Sequence, residues 1–163
     1  YLAGERTPIM DPLARAAFVV LTVRHRREHV VRAVMEGVAF ALKECYEILL
    51  DIGISPNKVV TSGTGVQSPV WRQIIADIMG VELNHVGMAA EMSVVGSAIL
   101  AAAGVGAFPN VDEACKVLAP KQSEVTKPKE ENAEIYRKTY TIYKGIYPTN
   151  STLFHVIANL MGR

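Results

Sequence analysis

VVTSGTGVQSPVWRQIIADIMG, residues 59 to 80, holds a β-branched run, a turn of small residues and an apolar stretch of helical period. Val59-Val60-Thr61 reads as a short strand. Ser62-Gly63-Thr64-Gly65 follows it directly, and glycine is the residue that lets backbone come close to a ligand. Ser68 then offers an N-cap side chain and Pro69 a preset first helical residue. Trp71, Ile74, Ile75 and Ile78 recur at helical spacing up to Gly80. A strand, a Gly-containing turn and a helix N-terminus can together hold the ribose, phosphate or base edge of a nucleotide. Spacing alone does not decide this. The turn lacks the GK[ST] ending of a Walker A loop, and Pro69 breaks a full GxGxxG pattern.

Working outward, the periodicity predicts a long helix over 25–50, with Val30, Val34, Val38, Leu42, Cys45 and Leu49 on one face and Gly53 as its stop. Residues 81–86 read as a second strand, 91–103 as a small-residue helix and 111–118 as a shorter one. The charged run over 122–134 reads as a solvated surface connection. A last helix over 131–147 carries Tyr136, Tyr140, Tyr143 and Tyr147 on one stripe, the pattern of a packing face. Helices alternating with strands define an α/β layered domain.

The chain has 163 residues, half of them apolar, and a formal net charge of +1. That balance gives no electrostatic case for nucleic acid or membrane binding. The longest apolar run, Gly96 to Phe108, is too short to cross a bilayer. Cys45 and Cys115 lie far apart without ligand spacing, as buried thiols of a reducing cytoplasm would. His25 and His29 lie four apart in a basic run, but no third ligand accompanies them, so a solvated helix start is the expectation. Arg32 and Glu36 are spaced to pair on the long helix.

Residues 59–80 resemble the adenine-nucleotide loop of the FGGY family of carbohydrate kinases. In that loop a GGGA-like turn is followed by K/Q-S-P-x-W-x-Q and then A-D. Gln67-Ser68-Pro69, Trp71, Gln73, Ala76-Asp77 and Gly63 match, whereas Ser62, Thr64 and Gly65 depart from Gly, Gly and Ala. The Cβ of Thr64 would narrow the gap for a nucleotide. Upstream, residues 16–21 and the run His29 to Gly37 are similar to the family's second signature, with Val20 where Gly is usual. Gly4-Glu5-Arg6-Thr7-Pro8, Asp11-Pro12 and Arg15 look like the xylulose kinases of the family. Glu91, Gly96-Ser97-Ala98 and Ala101 resemble its E-x-x-x-x-G-x-A helix.

The resemblance implies an actin-like ATPase, ribonuclease-H-like fold, with ATP and Mg2+ as cofactors and γ-phosphoryl transfer to a sugar hydroxyl as the reaction. It implies that residues 1–163 are the C-terminal, ATP-binding part, starting at Tyr1 as a fragment. The sugar would be held mainly by an N-terminal domain that also carries the catalytic aspartate. No catalytic base and no metal ligand stand out in this chain, which alone is expected to be inactive. The nucleotide contacts expected are Gly63, Thr64, Gly65 and Ser68, with Trp71 packed beneath the turn. D-xylulose is the first substrate, with ribulose, gluconate or glycerol as alternatives. A non-catalytic nucleotide-binding or oligomerisation module is the rival, since the long helix and tyrosine stripe could form a homodimer interface.

Overall fold

The computed structural model describes residues 1–87 and 92–162. Glu91, a motif residue, lies outside them. The elements run α1 (Arg27–Asp51), β1 (Val59–Thr61), a 3₁₀ turn (Gly65–Gln67), α2 (Pro69–Met79), β2 (Leu83–Val86), α3 (Met92–Gly104), α4 (Val111–Leu118), β3 (Gln122–Thr126) and α5 (Glu130–Leu160). They form two compact units. One holds residues 1–55, 77–79 and 129–163, and the other 56–76 and 80–128.

The second unit is built on a three-stranded sheet in the order β1-β2-β3. β1 and β2 are parallel, with Val59 opposite Leu83 and Thr61 opposite His85. The parallel pairing needs a crossover, and α2 supplies it. All four residues of β2 are buried, as befits a central strand. β3 pairs antiparallel to β2, with Glu124 opposite His85 and a register shift between His85 and Val86. Here the structure corrects the sequence reading, because Gln122–Thr126 is a strand and not a solvated connection. The charge pattern concealed it. An edge strand with one open side tolerates Gln, Ser, Glu and Thr, and charged edges discourage pairing with other chains. Asn110 caps α4 through its side chain, which accepts from Glu113 N at 2.9 Å.

The first unit is formed by α1, α5 and the N-terminal loop. Phe40, buried on α1, sits 5.1 Å from the ring of Tyr143, 5.7 Å from Tyr140 and 6.2 Å from Tyr136. Each tyrosine hydroxyl then needs a polar partner. Tyr136 donates to Glu36 at 2.9 Å and accepts from Arg32 at 2.8 Å, while Tyr140 donates to Glu47 at 2.6 Å. The stripe therefore packs as expected. The face of α1 that receives it is not the apolar one, however. Val34, Val38, Leu42 and Leu49 remain about half exposed. Arg32 and Glu36 pair at 2.8 Å as their spacing predicted.

α5 runs 13 residues past Tyr147, where the sequence reading stopped, despite Pro148 inside it. Proline removes one N–H from the ladder. The carbonyls around the break gain side-chain donors instead: Thr149 Oγ1 to Gly145 O at 2.7 Å and Asn150 Nδ2 to Ile146 O at 2.8 Å. Buried Phe154 and Ala158 hold the far half by packing. Asp77 accepts from Lys129 N and Asn132 Nδ2, both at 2.8 Å, so a carboxylate lies at the positive end of α5.

The N-terminal loop folds back on itself through Gly4 N to Ala14 O (3.1 Å) and Glu5 N to Asp11 O (2.8 Å). Asp11 fastens it to α5, accepting from Tyr147 at 2.7 Å and meeting His155 Nε2 at 2.9 Å. His25 and His29 each accept a backbone N–H through Nδ1, from Thr22 and Arg26, both at 3.0 Å. Their imidazoles thus shape the start of α1. Cys45 and Cys115 are free thiols, both half-buried. Burial raises the pKa of the Cys45 thiol.

Candidate functional site

The turn between β1 and α2 takes its form from a few residues. Gly63 has φ of 104°, a region an L side chain rarely adopts. A Cβ built there would meet no atom within 4 Å, so the backbone faces open space. Thr64 is in the right-handed helical region (φ −63°, ψ −36°) and leads the 3₁₀ turn. Its side chain is exposed, and its Cβ brings no backbone strain. Gly65 is needed for the opposite reason to Gly63: a Cβ there would lie 2.0 Å from Cζ3 of Trp71. Trp71 is therefore packed beneath the turn, as read from the sequence.

Ser68 N-caps α2, its hydroxyl accepting from Trp71 N at 3.4 Å, and Pro69 follows at the first helical position. Gly80 closes the helix in the left-handed conformation. The positive end of α2 thus adjoins the turn. Gly63, Thr64, Gly65 and Ser68 are brought together on this one segment. Other matched residues serve the fold: Ala76 is fully buried, and Gln73 Nε2 donates to Lys127 O at 2.9 Å.

Two residues escaped the sequence reading. Arg72 is buried on the first turn of α2, and its guanidinium reaches back to the turn carbonyls. Nη1 donates to Val66 O at 2.8 Å and Gln67 O at 3.1 Å, while Nη2 pairs with Glu124 of β3. Arg72 could have been suspected, since it stands inside the matched motif between Trp71 and Gln73. Glu124 could not, because it lies in the run read as a loop.

The segment fits a nucleotide. Thr61 Oγ1, at the end of β1 and two residues before Gly63, is buried without a hydrogen-bond partner in the described structure. It does not fit a metal by itself. Among the described residues no group of three or more His, Cys, Asp or Glu could hold an ion. Nor is any helix among them long and apolar enough to cross a membrane.

A strand–turn–helix on a small mixed sheet is the arrangement this chain shares with solved FGGY sugar kinases, whose fold is that of the actin-like ATPases. The family model for the C-terminal domain of the FGGY family of carbohydrate kinases matches residues 1–105, and the chain belongs to that family. It is 35% identical over 153 residues to a xylulose kinase of Staphylococcus epidermidis, covering 94% of this chain and 30% of that protein. The chain thus spans about 30% of the length of such curated relatives. The crystal structure of xylulose kinase from Rhodospirillum rubrum superposes with a TM-score of 0.77 at 31% identity, over 95% of this chain and 30% of that one. Plasmodium falciparum glycerol kinase, crystallised with ADP, superposes with a TM-score of 0.71 at 26% identity, over 91% and 29%.

Proposed function

We propose that this chain is the nucleotide-binding portion of an ATP-dependent sugar kinase that phosphorylates a hydroxyl of a ketose, D-xylulose first. The carrying observation is the turn at 62–68. It pairs an open, positive-φ Gly63 with a helix N-terminus at the motif that resembles the family's adenine-nucleotide loop. Gly63 and Thr64 would lie against ribose and phosphate through their backbone. Ser68, whose oxygen already accepts from Trp71 N, keeps its own O–H to donate to the nucleotide. ATP supplies the phosphoryl group, and Mg2+ would arrive on its phosphates. The similarity to xylulose kinases supports a ketose; gluconate and glycerol are the alternatives, since gluconokinases and a glycerol kinase are also among the similar proteins. The sugar and the catalytic base belong to further chain, in the reducing cytoplasm. The half-exposed Val34, Val38, Leu42 and Leu49 support that reading, since relatives more than three times as long have chain to cover them.

The test is Gly63→Ala in a full-length kinase carrying this segment. The added methyl meets no protein atom within 4 Å, but at φ of 104° it strains the backbone, so it disturbs the turn as well as crowding the nucleotide. The KM for ATP should rise about tenfold, a loss of only ~1.4 kcal/mol, with the KM for sugar nearly constant. A folded variant, verified by its melting curve, with unchanged ATP KM would place the nucleotide elsewhere.

A further inference from the structure

We propose that Arg72, held by Glu124, is the positioning residue of the nucleotide turn: it fixes the path of residues 62–68 without touching the nucleotide. The inference rests on the reading of that turn as the ATP site.

A buried guanidinium at the N-terminal end of a helix is in an unfavourable place, because the helix dipole is already positive there. Burying a charge costs heavily unless it is paired and hydrogen-bonded. Arg72 is paired and hydrogen-bonded through its two terminal nitrogens, with groups drawn from two sources, while Nε is buried without a partner in the described structure. Val66 O and Gln67 O, the carbonyls of the 3₁₀ turn, accept from Nη1 at 2.8 and 3.1 Å. The carboxylate of Glu124, from β3, takes Nη2. Glu124 is itself set by register, opposite His85 on the central strand. The turn is thereby referenced to the sheet through one side chain. Gly63, whose φ of 104° and open face leave it few constraints of its own, is three residues upstream of the first clamped carbonyl. Lysine could not replace the arginine. A single ammonium on a flexible stem cannot reproduce the planar fork that serves two carbonyls and a carboxylate together.

The experiment uses a full-length kinase carrying this segment, with ATP and xylulose varied separately and a melting curve for every variant. Arg72→Met should raise the ATP KM tenfold or more and leave the sugar KM within twofold. Arg72→Lys should resemble Arg72→Met. Glu124→Gln should raise the ATP KM about threefold, and the double variant should be no worse than Arg72→Met alone, because both act on one contact. A general loosening of the fold would instead move both KM values together, and that result overturns the proposal. So does a folded Arg72→Met enzyme with unchanged ATP KM. Should Arg72→Met fail to fold, Glu124→Gln decides: its side chain is 59% exposed, and an unchanged ATP KM there also overturns the proposal. Gly63→Ala separates the two levels. If it raises the ATP KM while Arg72→Met and Glu124→Gln do not, the turn binds nucleotide but Arg72 does not position it. If none of the three has an effect, the reading of the turn itself falls.

Discussion

At the scale of single residues, departures from the family pattern acquire physical meaning. Val20 occupies a position where the family usually has Gly, and its φ is 62°. The left-handed region costs an L-residue roughly 1–2 kcal/mol, and a β-branched one is a clear outlier there. Val20→Gly should therefore stabilise the fold by about 1 kcal/mol, raising Tm by roughly 2–4 °C. Thermal melting checks this, and a lowered Tm would contradict the assignment. Asp11 gives a second prediction. The hydrogen bond from Tyr147, then those from His155 and Leu13, hold its carboxyl at about 2 against an ordinary 3.8, although burial opposes them. A depressed folded pKa means stability that is present above about pH 4 and lost as pH falls toward 2. Urea melts between pH 6 and pH 2.5 should show that loss in the parent chain and a much flatter profile in Asp11→Asn. Equal slopes would mean that Asp11 does not fasten the loop.

At the scale of elements, α1 and α5 are joined by one aromatic cluster ringed by polar contacts. Burial raises the pKa of Tyr143 to about 12 and pushes that of Tyr140 up further. Both hydroxyls stay protonated at neutral pH, and Tyr140 donates to Glu47. Phe40 is the residue the rings share, and it is 3% exposed. Phe40→Ala should cost about 3–5 kcal/mol, the range for emptying a buried aromatic site. Chemical denaturation would measure it. A loss under 1 kcal/mol would mean that the hydroxyl contacts, not the rings, carry the joint. α5 also shows why its end was not legible. Pro148 is a stop signal in sequence, and only the neighbouring Thr149 and Asn150 bonds with the packing of Phe154 let the helix continue.

At the scale of the whole molecule, the chain carries a candidate nucleotide turn, and among the described residues no group stands out as the base for a sugar hydroxyl. A purified 163-residue chain given ATP, Mg2+ and xylulose should therefore release ADP no faster than background, in a coupled assay sensitive enough for the full-length enzyme. Turnover above background would show that the chemistry lies within this segment. With Gln122–Thr126 paired to β2, these residues are held in a strand and are not the open connection that invites early proteolysis.

What the sequence determined by itself was local. The Val59–Thr61 strand, the Ser68 cap, Pro69 at the first helical turn, the Gly80 stop and the limits of α4 follow from backbone preferences that neighbouring residues set. The candidate nucleotide residues were legible for the same reason, as they sit on one continuous segment. Tertiary structure decided whatever depends on partners distant along the chain. β3 became a strand because β2 offers it an edge, against its own polar composition. α1 turned its polar face to α5 because buried tyrosine hydroxyls need acceptors, and a hydrophobic period cannot express that demand. Arg72 and Glu124 are 52 residues apart and acquire their relation to the turn only when the sheet closes, since an ion pair leaves no mark on either segment alone.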